Sequence, residues 1–142
     1  MLSRAIMSNR TFVLIKPDGV QQKVIGKIVS RFEEKGFTIV KLEMLTPSKE
    51  LVAEHYAEHN GKSFFERIVD YVSSGPTVAI VLEGEDQCYK TVREMIGSTR
   101  PEDAAKGTIR GDYGTKAPYN VIHGSDSVES ANREITLWFG NQ

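Results

Sequence analysis

The run TVAIVLEG (77–84) constrains the fold more than any other stretch of this chain. It is apolar and β-branched, the breaker SSGP (73–76) precedes it, and its composition reads as a strand. TFVLIK (11–16) has the same character and is ended by the turn residues PDG (17–19). FTIVKLEML (37–45) alternates, with Val40, Leu42 and Met44 on one side, and reads as a half-buried strand. YNVIH (119–123) reads as a short strand.

Helical spacing fills the gaps. Ile25, Ile28, Val29 and Phe32 recur on one face, and Gly36 follows as a stop. Thr46 and Pro47 offer an N-cap and first helical residue for a helix through Leu51, Val52, His55 and Tyr56. Beyond Gly61 a short helix carries Phe64, Phe65, Ile68, Val69 and Val72; Asp86 can cap another holding Cys88, Val92, Met95 and Ile96. From Gly97 to Pro118 periodicity disappears, and a loop of that length inside a compact domain is usually functional or disordered. Val128, Ala131, Ile135 and Trp138 restore helical spacing in a last helix. The order contains a βαββαβ skeleton, which predicts an α+β ferredoxin-like sandwich: a four-stranded antiparallel sheet with added helices. A doubly wound parallel sheet is the alternative, but no glycine-rich dinucleotide turn follows the first strand.

With 142 residues the chain predicts one domain with a sizeable core. Residues 1–8 are expected to be a disordered tail or an expression remnant, and 9–142 the domain. A net charge of −1 gives no sign of attraction to nucleic acid or membrane. The single cysteine, Cys88, excludes an internal disulfide and fits a reducing, cytoplasmic setting. No apolar run approaches the roughly 18 residues of a transmembrane helix.

Three histidines are candidates for chemistry. His55 and His59 have i, i+4 spacing, but no glutamate flanks the first and no third ligand is near in sequence, so packing is the default. His123 falls where a strand should end, before GSDS, where Ser125 and Asp126 are natural caps. A nucleophilic imidazole needs a group on its other nitrogen, and Glu134 on the following helix can fold back to supply it. A satisfied junction histidine is the equally open alternative. Lys16 beside the PDG turn, Arg93, Thr99, Thr108 and Arg110 are the residue types of a phosphate clamp. Arg100, Lys106 and Lys116 read equally well as surface charge. No Walker-type loop is present, and Cys88 reads as inert packing.

Together RTFVLIKPDGV, SGPTVAIVLEG, PEDAAKGTIRGDYG and NVIHGSDSVESANREITLWF closely resemble nucleoside diphosphate kinases, over nearly the whole chain. The resemblance implies transfer of the γ-phosphate of ATP or another nucleoside triphosphate to a nucleoside diphosphate, by a ping-pong route through a phosphohistidine. It implies that His123 is the nucleophile, Glu134 its orienting carboxylate and Ser125 the serine beside that pair. Lys16 would act in catalysis and binding, while Tyr56, Arg93, Thr99, Arg110 and Asn120 would hold phosphates and sugar. Phe64 would stack on the base, with Ile68 completing the clamp. Mg²⁺ would arrive on the nucleotide's phosphates, with no metal ligand from the protein. The resemblance further implies a homo-oligomer, hexamer ahead of tetramer, with neither membrane nor nucleic acid as a partner. Pro118, Tyr119 and Arg100 depart from the family's usual residues, and the chain stops soon after Trp138. The competing reading is a non-catalytic nucleotide-binding module of the same fold.

Overall fold

The computed structural model describes residues 6–140. The elements run β1 (Arg10–Ile15), α1 (Pro17–Gln21), α2 (Ile25–Glu34), β2 (Thr38–Leu45), α3 (Lys49–His55), α4 (Phe65–Val72), β3 (Thr77–Glu83), α5 (Tyr89–Ile96), α6 (Ile109–Tyr113), β4 (Ile122–Gly124) and α7 (Val128–Phe139). The strands form one antiparallel sheet in the order β2-β3-β1-β4, the ferredoxin-like arrangement with added helices.

β1 and β3 are central, and helices cover both of their faces. Val13 and Ile15 join Val78, Ile80 and Leu82 beneath Ile28 and Phe32 of α2 and Val92 and Ile96 of α5. Phe12, Leu14 and Ala79 pack on the opposite face against Val52 of α3, Val69 and Val72 of α4 and Trp138 of α7. Strands buried on two faces have no polar alternation, which is why both read as continuous apolar runs. Each such side chain contributes roughly 1.5–3 kcal/mol by leaving water.

Several local expectations shift. β2 is not half-buried as its alternation implied: Leu42 and Met44 are 50% and 54% exposed, and a register irregularity lies between Ile39 and Lys41. Ser48, not Thr46, caps α3, accepting from Leu51 N–H at 3.0 Å. Asp86 caps no helix; Cys88 stands at the N-cap of α5 and makes no side-chain cap. The PDG turn is the first turn of α1. The long segment after Gly97 contains α6 and a 3-10 turn at Pro101–Asp103. Gly111 is required in α6, because a Cβ there would lie 2.0 Å from Ala105 O. Of the leading segment 1–8, residues 1–5 lie outside the described residues. Met7 exchanges hydrogen bonds with the Asn132 side chain, and Ser8 O accepts from Gln87 N–H.

Phe32 is fully buried and meets Phe37 edge-to-face at 6.3 Å, away from β4 and α7. Phe32→Ala is expected to lower unfolding stability by about 3–5 kcal/mol in a urea titration. A loss below about 1 kcal/mol would contradict the packing described.

Candidate active site

His123 stands on β4 opposite Leu14 of β1, so its ring lies on the sheet face that carries Phe12, α3 and α7. Its Nε2 pairs with Glu134 Oε1 of α7 at 2.8 Å. Ser127 caps α7 by accepting from Ser130 N–H, which frees Ser125 for another task. The buried Ser125 hydroxyl donates to the same Glu134 oxygen at 2.6 Å, and its backbone N–H donates to Phe12 O. Glu134 is an acceptor from Ser125, so the His123–Glu134 bond is met with the proton on Nε2 and the lone pair on Nδ1.

Burial holds the His123 imidazole well below its ordinary pKa, reinforced by Lys16, Arg110 and Arg93 and opposed by Asp126. The ring therefore stays neutral at neutral pH. Burial also raises the Glu134 pKa, against the opposing pull of His55, the Ser125 hydroxyl and Arg133.

Three cations surround this ring. Lys16, at the end of β1, is buried and donates to Asn120 Oδ1 at 2.8 Å. Burial and the Arg110 charge bring its pKa down to about 7, although Asp18 opposes them. Arg110 of α6 is gripped by backbone carbonyls: Ile122 O at 2.7 Å, Gly97 O at 3.3 Å and Asn120 O at 3.4 Å. Its pKa falls to about 10, chiefly through burial and then Arg93, and it remains charged. Arg93 of α5 donates to Gly124 O at 3.0 Å. Asn120 also donates to Thr99 O at 2.9 Å, tying the loop to β4.

The turn into β4 is strained. Val121 has φ 59°, a left-handed conformation that a β-branched residue rarely takes. Two contacts sustain it: Val121 N–H donates to Asp18 Oδ2 at 3.1 Å, and Val121 O accepts from Lys16 N–H at 2.8 Å. This turn aims Asn120 and His123 from neighbouring positions at one cavity.

That cavity has a volume of about 460 Å³ and is lined by Lys16, Tyr56, Phe64, Ile68, Arg93, Thr99, Arg110, Asn120 and His123. Phe64 and Ile68 form an apolar wall at one end, with the His59 ring 5.4 Å from Phe64. Among the described residues the Tyr56 hydroxyl is buried without a partner, and burial pushes its pKa far up, so it is a neutral donor.

The expected binding residues thus converge, whereas part of the expected clamp does not. Arg100 turns to Glu102 and Asp103, and Lys106 and Lys116 are exposed and do not line the cavity. Thr108 caps α6 by accepting from Gly111 N–H. Nothing local in the sequence marks Asp18 or Trp138 as a site residue. Asp18 sits in the PDG turn, and only tertiary structure brings it to Val121; Trp138 looked like ordinary helix packing.

Among the described residues, one set of three metal-type side chains clusters, His55, His123 and Glu134, with ligand atoms within 4.8 Å of one another. The cavity lining offers a different chemistry: a neutral nucleophilic nitrogen, a ring of cations and a flat aromatic wall. That combination suits an electrophile with several anionic oxygens carried on a planar group. No helix among the described residues is long and apolar enough to cross a membrane.

The profile of the nucleoside diphosphate kinase family matches residues 9–142. A nucleoside diphosphate kinase from Schizosaccharomyces pombe is 54% identical over 132 residues, 93% of this chain and 87% of that protein. One from Exiguobacterium sp. is 55% identical over 130 residues, 92% and 93% of the two chains. The structure of a halophilic nucleoside diphosphate kinase from Halobacterium salinarum in complex with CDP superposes with a TM-score of 0.89 at 46% identity, covering 94% of this chain and 89% of that one. The chain belongs to the nucleoside diphosphate kinase family, the enzymes that pass a phosphoryl group from a nucleoside triphosphate to a nucleoside diphosphate.

Proposed function

We propose that His123 carries the phosphoryl group in a ping-pong reaction and that the cavity binds both nucleotides in turn. The observation that carries this reading is the 2.8 Å contact of His123 Nε2 with Glu134, which leaves Nδ1 as the attacking atom beside Lys16, Arg93 and Arg110. In the first half-reaction Nδ1 attacks the γ-phosphorus. The bond from phosphorus to the β–γ bridging oxygen breaks, and the diphosphate leaves with that electron pair. The Nε2 proton stays on the imidazole, where Glu134 offsets the positive charge it acquires. In the second half-reaction a terminal oxygen of the incoming diphosphate attacks phosphorus, and the N–P bond breaks.

The cations offset charge that builds on the transferring group and the leaving oxygen. Asn120 and Thr99 hold the nucleotide, and the Tyr56 hydroxyl offers a donor that no group among the described residues uses. Phe64 stacks on the base with Ile68 beside it. Stacking uses a π-face that every base has, so discrimination among nucleotides is weak. The cations leave little place for a protein-held divalent ion among the phosphates, and this suits Mg²⁺ bound by the nucleotide. When bound, that Mg²⁺ adds charge neutralisation at the phosphate oxygens. We assign the activity to the cytoplasm, a setting that the free Cys88 fits.

We further propose a homo-oligomer, with a hexamer favoured and a tetramer the alternative. β2 is an eight-residue edge strand with exposed Leu42 and Met44, a surface suited to pairing with a second copy.

With γ-labelled ATP and Mg²⁺ the protein is expected to take up an acid-labile, alkali-stable phosphate. His123→Ala should abolish this label, and a labelled His123→Ala protein would sink the assignment. Glu134→Ala should retain the fold and slow phosphoenzyme formation by roughly 10²–10⁴-fold, read in single-turnover rapid quench.

Lys16 provides a pH test. Its pKa of about 7 in the free enzyme leaves it largely neutral in mildly alkaline buffer. Phosphates beside it favour the charged form, so at about pH 8 nucleotide binding should take up a proton. The uptake should fade as pH falls below the free-enzyme value. Calorimetry in buffers of different ionisation enthalpy measures it, and proton release at about pH 8 would contradict it.

Leu42→Glu combined with Met44→Glu should reduce the light-scattering mass to a smaller species. An unchanged oligomeric mass would remove β2 as the contact.

A further inference from the structure

His55 is almost fully buried, at 2% exposure, immediately behind the nucleophile. Its ring meets that of His123 edge-to-face with centroids 4.4 Å apart. The indole N–H of Trp138 donates to His55 Nδ1 at 2.9 Å. An indole nitrogen can only donate, so Nδ1 must be a bare acceptor and the proton of a neutral His55 must sit on Nε2. Among the described residues that Nε2 is buried without a partner. Arg133 Nη2 holds the His55 carbonyl at 2.9 Å, so backbone and ring are both fixed.

We infer that Trp138 and His55 are a positioning pair for the reaction: the indole locks His55 in the neutral Nε2–H tautomer, so that Glu134 remains committed to His123. The inference rests on the reading of His123 as the residue that is phosphorylated.

His55 and His123 compete for a single carboxylate. A ring nitrogen of His55, a ring nitrogen of His123 and an oxygen of Glu134 all lie within 4.8 Å of one another. A cationic His55 would draw Glu134 toward itself and release the His123 ring from its hydrogen bond. The groups that face His55 are His123 from β4, Glu134 and Arg133 from α7, Lys16 from the end of β1 and Tyr56 beside it. Of these Glu134 alone favours the cation, while His123, Arg133, Lys16 and burial oppose it. The Trp138 hydrogen bond adds a steric veto, because protonating Nδ1 would set one N–H against another. The same bond argues against a metal ion on the three side chains. His55 has no lone pair to offer, since Nδ1 is occupied by the indole and Nε2 carries the proton.

The first test uses the unaltered enzyme with ¹⁵N-labelled histidine. NMR should find His55 as the Nε2–H tautomer, without titration anywhere in the range at or above the ordinary imidazole pKa. An Nδ1–H tautomer, or a titration inside that range, overturns the inference. The second test uses Trp138→Phe, which keeps an aromatic ring and removes the donor. Its acid limb for phosphoenzyme formation should move up by about one pH unit, as His55 becomes free to protonate. Adding His55→Phe removes the titrating group and should return the limb to its original position. A limb that does not move, an equal loss at every pH, or no return in the double variant overturns the inference. Failure of the nucleophile reading is distinguishable, because His123→Ala would then still take up label.

Discussion

The hydrogen bond between His123 and Glu134 is the contact on which the geometry of the site depends. It joins a three-residue strand to the last helix and decides which imidazole nitrogen is free. A buried carboxylate is tolerated only with donors on its oxygens, and Ser125 and His123 supply two. That requirement reaches back into the core. Ser125 is held by the Phe12 carbonyl, and Trp138 and Ile135 seat α7 against the sheet. The central strand therefore supports both the hydrophobic core and the catalytic pair.

Around that pair the protein gathers positive charge that it does not neutralise. Lys16, Arg93 and Arg110 form no salt bridge among the described residues; carbonyl and amide oxygens hold them instead. Burial first, and the neighbouring positive charge second, depress the pKa of Lys16 and of Arg110. Such an arrangement is unfavourable until an anion arrives, which fits a site that must bind polyphosphate and release it again. The left-handed Val121 is a second local cost, sustained by Asp18 and Lys16 from the other end of the chain.

Much of this was legible in the residues, and the parts that were not have physical reasons. TFVLIK and TVAIVLEG declared two-sided burial through unbroken apolar composition, and they are the central strands. FTIVKLEML alternates instead, yet Leu42 and Met44 on its apolar side are exposed, because alternation does not say whether the covering surface belongs to the same chain. The GSDS segment promised caps, but whether Ser125 or Ser127 caps α7 depends on which hydroxyl Glu134 claims. Among the basic residues of the long loop the family motif marked Arg110, whereas Arg100, Lys106 and Lys116 stayed open until the fold showed Arg110 buried in α6 and Arg100 turned to Glu102.

By itself the sequence determined the strand and helix order, the residue types at the site and the family motifs, since these follow from local periodicity and quoted runs. Tertiary structure decided which groups meet. Asp18 reaches Val121, Lys16 reaches Asn120, and Trp138 reaches His55, pairs 103, 104 and 83 residues apart. No local pattern encodes such pairings, because they arise from closing a sheet in which first and last strands are neighbours.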